Sequence, residues 1–252
     1  MPLDLLYSWL MIGFRGLGVV LLFPTLGGNQ LPVMLRVALS LGMATLLYGI
    51  VPHAAVMPLD LLSLATAAGS EMLLGFAMGF VGRMSFSAVE LAGRLINQEI
   101  GLGGVPGIDT PHPGTEPLAS VLTMFAAVLF FLSGAHLGAL AAFARSFDFA
   151  PAGHAGFGPG SLESIIVGTS HVIELGFRIS APFLALNFLI NLAFSVLGRA
   201  VPRMNVFVIS FPLHSLLGFT LLATAGTLIA RYVWVEFDLM PGRILELLPP
   251  PR

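Results

Sequence analysis

Long runs of apolar residues, separated by short clusters of glycine, proline and polar residues, dominate this chain. A helix needs about 20 mostly apolar residues to cross a bilayer core of about 30 Å. Roughly six segments approach or exceed that length, at residues 5–26, 33–51, 59–100, 118–144, 161–197 and 205–233. The pattern predicts an all-α polytopic membrane protein of long kinked helical hairpins, forming a single helical unit over residues 1–252.

Helix-breaking residues mark the connections between these segments. Glycine and proline are concentrated at residues 101–117 and 151–160, which we predict as loops, and residues 241–252 are predicted as a short tail. The segment 59–100 would span about 60 Å as a helix, which is twice the hydrocarbon thickness. We therefore expect that helix to bend, to break or to project beyond the bilayer.

Composition supports the membrane assignment and excludes several classes of function. Only 10% of the residues are charged and 56% are hydrophobic, whereas soluble chains carry about 25% charged residues. The mean hydropathy is +0.94. A formal net charge of −2 provides no basic field for nucleic acid, and the absence of cysteine excludes disulfides and thiolate chemistry.

Four charged residues lie within the apolar segments, namely Arg15, Glu71, Glu174 and Arg178. A charge inside a membrane costs several kcal/mol, roughly 3 on insertion scales, unless it is paired or hydrated. One interpretation is an ion or proton path. The other is that each charge faces a protein neighbour or lies beyond the bilayer, and the excess length of the helices favours this second interpretation.

Other polar residues recur at helical spacing. A narrow stripe suited to a protein interface or a lumen is formed by Ser87, Glu90, Arg94 and Asn97. Interhelical pairing is predicted for Glu174, Arg178, Asn187 and Asn191. Small residues that permit close helix approach share a face with Glu71 at Gly75, Gly79 and Gly82, and the spacing recurs at Gly134 and Gly138.

Sequence signatures of common enzyme classes are absent from the chain. It contains no HExxH, no Walker A loop and no GxSxG elbow, and its six histidines show no i, i+3 or i+4 pairing. We therefore predict no enzyme activity, no catalytic residue, no cofactor and no metal site.

Several motifs resemble the FliR/SctT family of type III export proteins. They comprise LAGRLI at 91–96, EIGL at 99–102, GAHL at 134–137, LNFLINLA at 186–193, GRAVPRMNVF at 198–207 and SFPL at 210–213. The family motif positions are Pro202, Met204, Asn205, Phe207, Phe211 and Pro212. The resemblance covers essentially the whole chain and is weakest in the first 60 residues and in the tail.

The resemblance implies a structural subunit of the export gate in the bacterial inner membrane, at the flagellar basal body. Members of the family join FliP-type and FliQ-type subunits in a helical, tapered pore. FlhB-type and FlhA-type export proteins dock nearby, and the MS ring and rod adjoin the assembly. Unfolded proteins of the rod, hook and filament would pass through the pore.

The resemblance also implies a pore plug in the loop that follows the Gly-Leu element. That position corresponds here to residues 103–117, and the expected plug residues are Gly103, Gly104, Val105, Pro106, Gly107, Ile108 and Asp109. Where relatives commonly carry aromatic residues ahead of an Asp-Pro, this chain has Gly-Ile-Asp-Thr at 107–110. A plug here would be smaller and more flexible, and the alternative is an ordinary solvent loop.

Three further interpretations stay open at this stage. The chain could be an SctT-type subunit of a virulence secretion system, because flagellar and virulence members share the PRMNVF type of motif. A secondary transporter would use the four charges within the apolar segments, although no internal repeat supports it. An intramembrane enzyme is the third alternative, for which no nucleophile and base can be paired.

Overall fold

The computed structural model describes residues 3–24, 32–52, 57–102, 116–201 and 206–249, the side chains of 206–208 excepted. Within these ranges the chain forms helices and no strand. The helices are α1 Leu3–Leu22, α2 Val33–Leu47, α3 Leu61–Glu99, α4 Pro117–Leu132, α5 Ala135–Phe149, α6 Ser161–Ala200 and α7 Val206–Leu245. Among the described residues, four helices are long and apolar enough to cross a membrane, or up to five if α4 and α5 form one bent span. The predicted all-α polytopic class is confirmed.

Helix α3 is a single unbroken helix of 39 residues. A carboxylate oxygen of Asp60 accepts a hydrogen bond from the backbone nitrogen of Ser63 at 3.2 Å, which caps the first turn. The helix ends before Gly101, whose positive φ of 85° favours glycine. At 1.5 Å per residue α3 is about 58 Å long. Because the helix contains no break, the expected excess over the hydrocarbon thickness is present in one continuous helix.

The segment 118–144, which the sequence predicts as one span, consists of two helices. The helix stops at Ser133 and Gly134, and α5 starts in a new direction. Gly134 has a φ of 73°, a left-handed conformation that residues with a Cβ rarely adopt. The apolar run conceals this break because the residues on both sides are hydrophobic.

The last helix and the second helix also differ in length from their predicted segments. Helix α7 continues to Leu245 rather than ending at 233. Beyond residue 233 the helix contains charged residues, but Phe237, Met240 and Ile244 are buried and keep one of its faces packed in the core. Part of the predicted tail is therefore helical. Helix α2 has only 15 residues, fewer than a bilayer crossing requires. Pro182 lies inside α6, which continues on both sides of it.

The chain divides into two compact units. Unit 1 consists of Met1–Ser85, Phe130–Ser170 and Glu236–Arg252, and unit 2 consists of Phe86–Leu129 and His171–Val235. Three long helices, α3, α6 and α7, contribute residues to both units. The single helical unit expected over residues 1–252 stays a prediction.

In unit 1, α1 lies directly on the glycine face of α3. A Cβ added at Gly75 would overlap the carbonyl oxygen of Arg15, and one added at Gly79 would lie 2.8 Å from the carbonyl oxygen of Val19. Further along, a Cβ at Gly82 would overlap the ring of Phe23. The residue numbers of the contacting pairs increase together along both helices, so α1 and α3 run parallel and their backbones are in contact.

Aromatic side chains fill the remainder of this core. The ring of Phe130 lies 5.5 Å from that of Phe23 and 5.3 Å from that of Phe237, measured between centroids. All three side chains are almost completely buried. Aromatic pairs at these separations add about 0.5–1.5 kcal/mol to the burial of their apolar area.

Unit 2 is organised around the second half of α3. A Cβ added at Gly93 would lie 2.6 Å from the Cα of Ala119 on α4, and one at Gly176 of α6 would lie 2.7 Å from Leu91. The buried apolar side chains of this half of α3 are Phe86, Ala88, Val89, Ala92 and Ile96, and Ile100 directly after the helix is also buried. Close packing on small residues therefore recurs in both units.

We expect Gly75→Ala to destabilise the protein, because the new methyl group meets the backbone of α1 and no side chain can move aside. Overpacking of this kind costs roughly 1–3 kcal/mol. The measurement is the midpoint of thermal unfolding in detergent, monitored by size-exclusion chromatography.

The matched control is Gly69→Ala on the same helix, where an added Cβ meets nothing within 4 Å. This substitution should leave the midpoint unchanged or raise it, since alanine is favoured over glycine in helices by about 1 kcal/mol. Equal midpoints for the two variants would contradict the close approach of α1 and α3.

Candidate functional site

The most buried charges among the described residues form an ion pair between α1 and α3. The Nε atom of Arg15 donates to one carboxylate oxygen of Glu71 at 2.6 Å, and its Nη2 atom donates to the other at 3.0 Å. Both side chains have 0% relative exposure. This is the bidentate geometry in which a guanidinium and a carboxylate bind most strongly.

The remaining polar atoms of this pair are bound by α5 and the loop that follows it. Arg15 Nη1 donates to the Ser146 hydroxyl at 2.9 Å, and Nη2 donates to the carbonyl oxygen of Ala150 at 2.8 Å. The backbone nitrogen of Gly153 donates to Glu71 at 2.8 Å. The guanidinium carbon lies 3.9 Å from the ring centroid of Phe147. We call Arg15, Glu71, Ser146 and the bound backbone of Ala150 and Gly153 the buried network.

The buried network is chemically suited to holding structure rather than to reacting. Its carboxylate accepts three hydrogen bonds and its guanidinium donates four, so the charges are compensated where they lie. Satisfied networks of this kind specify one arrangement of a core, whereas an unsatisfied member would be costly.

A second buried carboxylate of unit 1 lies on α7. Glu236 accepts a hydrogen bond from the Ser85 hydroxyl at 3.1 Å. It also forms a short ion pair with Arg243. Its side chain is only 5% exposed. Sequence reasoning missed this group because it fell beyond the predicted end of the last segment. The i, i+7 spacing of Glu236 and Arg243 on one helix face is the signal that was available.

The residues of the predicted polar stripe on α3, which lie in unit 2, differ in how deeply they are buried. Arg94 pairs with Glu90 at 2.6 Å and with Glu116, which precedes α4, at 3.1 Å, and this cluster is partly exposed. Asn97 is buried, and its side-chain oxygen lies 3.4 Å from the backbone nitrogen of Leu118. Ser87 is half-buried. Only part of the stripe is therefore available to a lumen or a partner.

The asparagines of α6 make two different kinds of contact. Asn187 donates a short hydrogen bond to Glu99 of α3, a partner that the sequence analysis did not select. Asn191 is exposed and donates to the Asn187 side chain at 2.8 Å, within the same helix. The predicted interhelical pairing of Asn191 stays a prediction.

One face of α6 is exposed along the whole helix. Residues at successive helical turns on this face, all exposed, are Glu163, Val167, Ser170, Glu174, Arg178, Ala181, Ala185, Phe188, Leu192, Ser195 and Arg199. We call this set the α6 face. Glu174 and Arg178 pair with each other within the helix at 2.5 Å, and their side chains are 56% and 53% exposed. Their predicted role between helices stays a prediction.

Several predicted site residues lie outside the described part of the chain. These are the plug residues Gly103, Gly104, Val105, Pro106, Gly107, Ile108 and Asp109 and the motif residues Pro202, Met204 and Asn205. The side chain of Phe207 is likewise not described. Phe211 and Pro212 are exposed on α7. A Cβ added at Gly101 would lie 3.4 Å from the ring of Phe211, so that ring covers the end of α3.

Comparison with known proteins identifies full-length relatives. Residues 6–240 match the model of the family described as bacterial export proteins, family 1. The flagellar biosynthetic protein FliR of Escherichia coli K12 is 27% identical over 247 residues, covering 96% of this chain and 94% of that protein. FliR of Bacillus subtilis 168 is 26% identical, covering 98% and 96%. The Yop proteins translocation protein T of Yersinia pestis is 29% identical, covering 86% and 84%.

We expect Arg15→Met to destabilise the protein strongly, because it leaves the Glu71 carboxylate buried without its countercharge. Removing one partner of a buried ion pair costs roughly 3–5 kcal/mol. The thermal unfolding midpoint in detergent measures the effect. The control is Arg94→Met, which breaks two partly exposed ion pairs, each of the kind worth about 0–1 kcal/mol. A similar loss for both variants would contradict the distinction between buried and exposed charges.

Proposed function

The chain belongs to the bacterial export proteins, family 1, and we propose from this membership that it is a structural subunit of the flagellar type III protein export gate. Full-length similarity to flagellar biosynthetic proteins of two distant bacteria supports the flagellar assignment. The family and the apolar helices support a location in the bacterial inner membrane. We extend this to the flagellar basal body, next to the MS ring and rod.

The observation that carries a role as a subunit is the amount of apolar surface left uncovered on α6 and α7. Only 28% of the most apolar stretch of α6 and 17% of that of α7 are buried, against 67% for α3. Large side chains such as Phe188, Leu189 and Leu216 are more than half exposed. Surface of this extent requires lipid or another protein to cover it.

Lipid alone does not suit the α6 face. The stretch from Glu163 to Arg178 is about 22 Å long and carries a polar or charged residue at most turns. Charges facing hydrocarbon are expensive, so this half of the helix meets water or protein. Ala181 and Ala185 follow one turn apart, and small residues at this spacing let another helix approach closely. The α6 face therefore fits a protein helix of a neighbouring subunit.

We assign that neighbour to the FliP-type and FliQ-type subunits, with this chain present as a single copy. Docking of FlhB-type and FlhA-type export proteins and passage of unfolded rod, hook and filament proteins belong to the same proposal. The role is structural, and we propose no enzymatic reaction for this chain.

The loop at residues 103–117 is proposed as the pore plug on the strength of the family resemblance. Residues 103–115 lie outside the described ranges, while the contacts around residue 116 and the start of α4 are described. Glu116 pairs with Arg94, and the backbone nitrogen of Leu118 lies near Asn97. Both contacts attach the residues at the beginning of α4 to α3.

Two other functions are weaker candidates. A virulence secretion system is favoured by the 29% identity to the Yersinia translocation protein, and it would use the same surfaces with different neighbours. A secondary transporter would need water to reach the charges within its spans. Arg15 and Glu71 have no exposed side-chain surface, and their hydrogen bonds are satisfied within the protein.

We expect the chain to purify as one copy in a single large complex when it is co-expressed with the FliP-type and FliQ-type proteins of its own organism. Mass measurement and subunit composition in detergent test this outcome. A stable folded chain that purifies alone and ignores both partners would overturn the gate assignment. Restoration of motility in a deletion strain by this chain then separates the flagellar function from the virulence function.

We expect Ala185→Trp to abolish this complex without lowering the stability of the chain itself, because the bulky ring would prevent close approach at the α6 face. Pull-down of the partner subunits measures assembly, and the unfolding midpoint of the chain measures stability. The matched control is Ala193→Trp, an exposed alanine about 80° round the same helix. Normal assembly of the Ala185→Trp variant would show that another surface binds the partners.

A further inference from the structure

We propose that the segment that ends α7 holds the loop between α5 and α6 in place, and that the buried Arg15–Glu71 pair depends on this segment through that loop. We call residues 244–248 the α7 end segment and residues 150–160 the α5–α6 loop. All of these residues lie in unit 1. The proposal is independent of the export function, because it concerns how this chain keeps its buried charges compensated.

The beginning of the α5–α6 loop supplies backbone groups to the buried charges. Ala150, which directly follows α5, accepts a hydrogen bond from Arg15 at 2.8 Å, so the helix before it places its carbonyl group. The backbone nitrogen of Gly153 donates to Glu71 at 2.8 Å. Gly153 has a φ of 87°, so a turn rather than a helix sets the direction of its N–H. Glu71 therefore depends on the conformation of the loop for one of its three hydrogen bonds.

The end of the α5–α6 loop is bound by the α7 end segment. The backbone nitrogen of Gly158 and the hydroxyl of Ser161, the first residue of α6, both donate to the carbonyl oxygen of Leu247, at 3.1 Å and 2.7 Å. A Cβ added at Gly158 would overlap the carbonyl oxygen of Leu248, so the two backbones are in contact. The side chains of Ile244, Leu247 and Leu248 are buried. The α7 end segment is thus packed in the core and offers the loop an acceptor at a fixed position.

Contacts from outside the loop are needed to keep the Gly153 N–H on Glu71. The backbone hydrogen bonds from His154 to Pro151 and from Ser161 to Gly158 each span a single turn and do not connect the two ends of the loop. Fixing each intervening backbone position costs conformational entropy. If the α7 end segment released the loop, that cost would weigh against the bond to Glu71. The carboxylate has no exposed surface, so water could not replace the lost donor.

Amide hydrogen exchange at Gly153 tests the first step, measured by mass spectrometry on the full-length chain in detergent. The variant Gly158→Ala places a methyl group against the backbone of Leu248, and the matched control is Gly156→Ala in the same loop, where an added Cβ meets nothing within 4 Å. We expect exchange to rise roughly tenfold in Gly158→Ala, as for the loss of one hydrogen bond, and to stay unchanged in the control. Unchanged exchange in Gly158→Ala would overturn the proposal, because α5 and Tyr7, which contacts Gly153, would then suffice to hold the loop.

A double-mutant cycle tests whether the effect reaches the charges. Gly158→Ala is made in the parent chain and in a charge-free chain that carries Arg15→Met together with Glu71→Leu. The loop has no charge to bind in the charge-free chain, so we expect Gly158→Ala to lower the thermal unfolding midpoint there by less than half of its effect in the parent. Equal effects in both backgrounds would overturn the proposal, since the α7 end segment would then stabilise only its own surroundings.

A milder variant decides the question if Gly158→Ala does not fold. Ser161→Ala removes the hydroxyl that donates to Leu247 without adding an atom to the contact. It should raise exchange at Gly153 in the same direction and to a smaller extent, and unchanged exchange in this variant would then overturn the proposal. Because the exchange measurement uses only chains that keep both charges, it gives a result even where the charge-free chain does not fold.

Discussion

The structure of unit 1 depends on the cost of burying charge in an apolar interior. Arg15 and Glu71 have no access to solvent, so each must find its full set of partners inside the protein. That requirement connects α1, α3, α5 and the loop after α5 through hydrogen bonds that act only at short range. These contacts are satisfied in one arrangement of the four segments.

Close backbone contact is what makes such a pair possible. Gly75 brings the backbone of α1 against α3 beside Arg15, so the guanidinium reaches a carboxylate one turn away without entering lipid. The exposed pair on α6 shows the opposite case. Glu174 and Arg178 neutralise each other across one turn, but their side chains are more than half exposed. Their helix therefore keeps a polar surface that this chain does not cover. Buried and exposed ion pairs thus serve different purposes in one chain.

Much of the fold could be predicted from the sequence, and the exceptions have local causes. Apolar length and clusters of helix breakers located α1, α3 and α6, because these signals depend on nearby residues. The break at Gly134 escaped prediction, since a left-handed glycine within an apolar run leaves the hydropathy unchanged. The extension of α7 was missed because charged residues there are buried and paired.

The candidate site could be predicted only as a set of residue types. Four charges in apolar segments demanded partners, but the residue that pairs with Arg15 is 56 positions away, and no local pattern specifies it. The i, i+4 spacing of Glu174 and Arg178 is visible in the sequence, and the geometry of that pair is set by the helix itself.

The same distinction separates the polar groups that find partners within this chain from the surface that another protein would cover. Polar groups whose partners are distant in sequence are satisfied inside the described structure, as Arg15 and Asn187 are. The α6 face has only local partners and combines charged residues, small residues and large apolar residues along one side of a helix of about 60 Å. Neither water nor hydrocarbon suits that whole surface, because each is unfavourable for part of it. The proposed neighbouring subunit would suit both parts, and this is the physical reason to expect an assembly rather than an isolated chain.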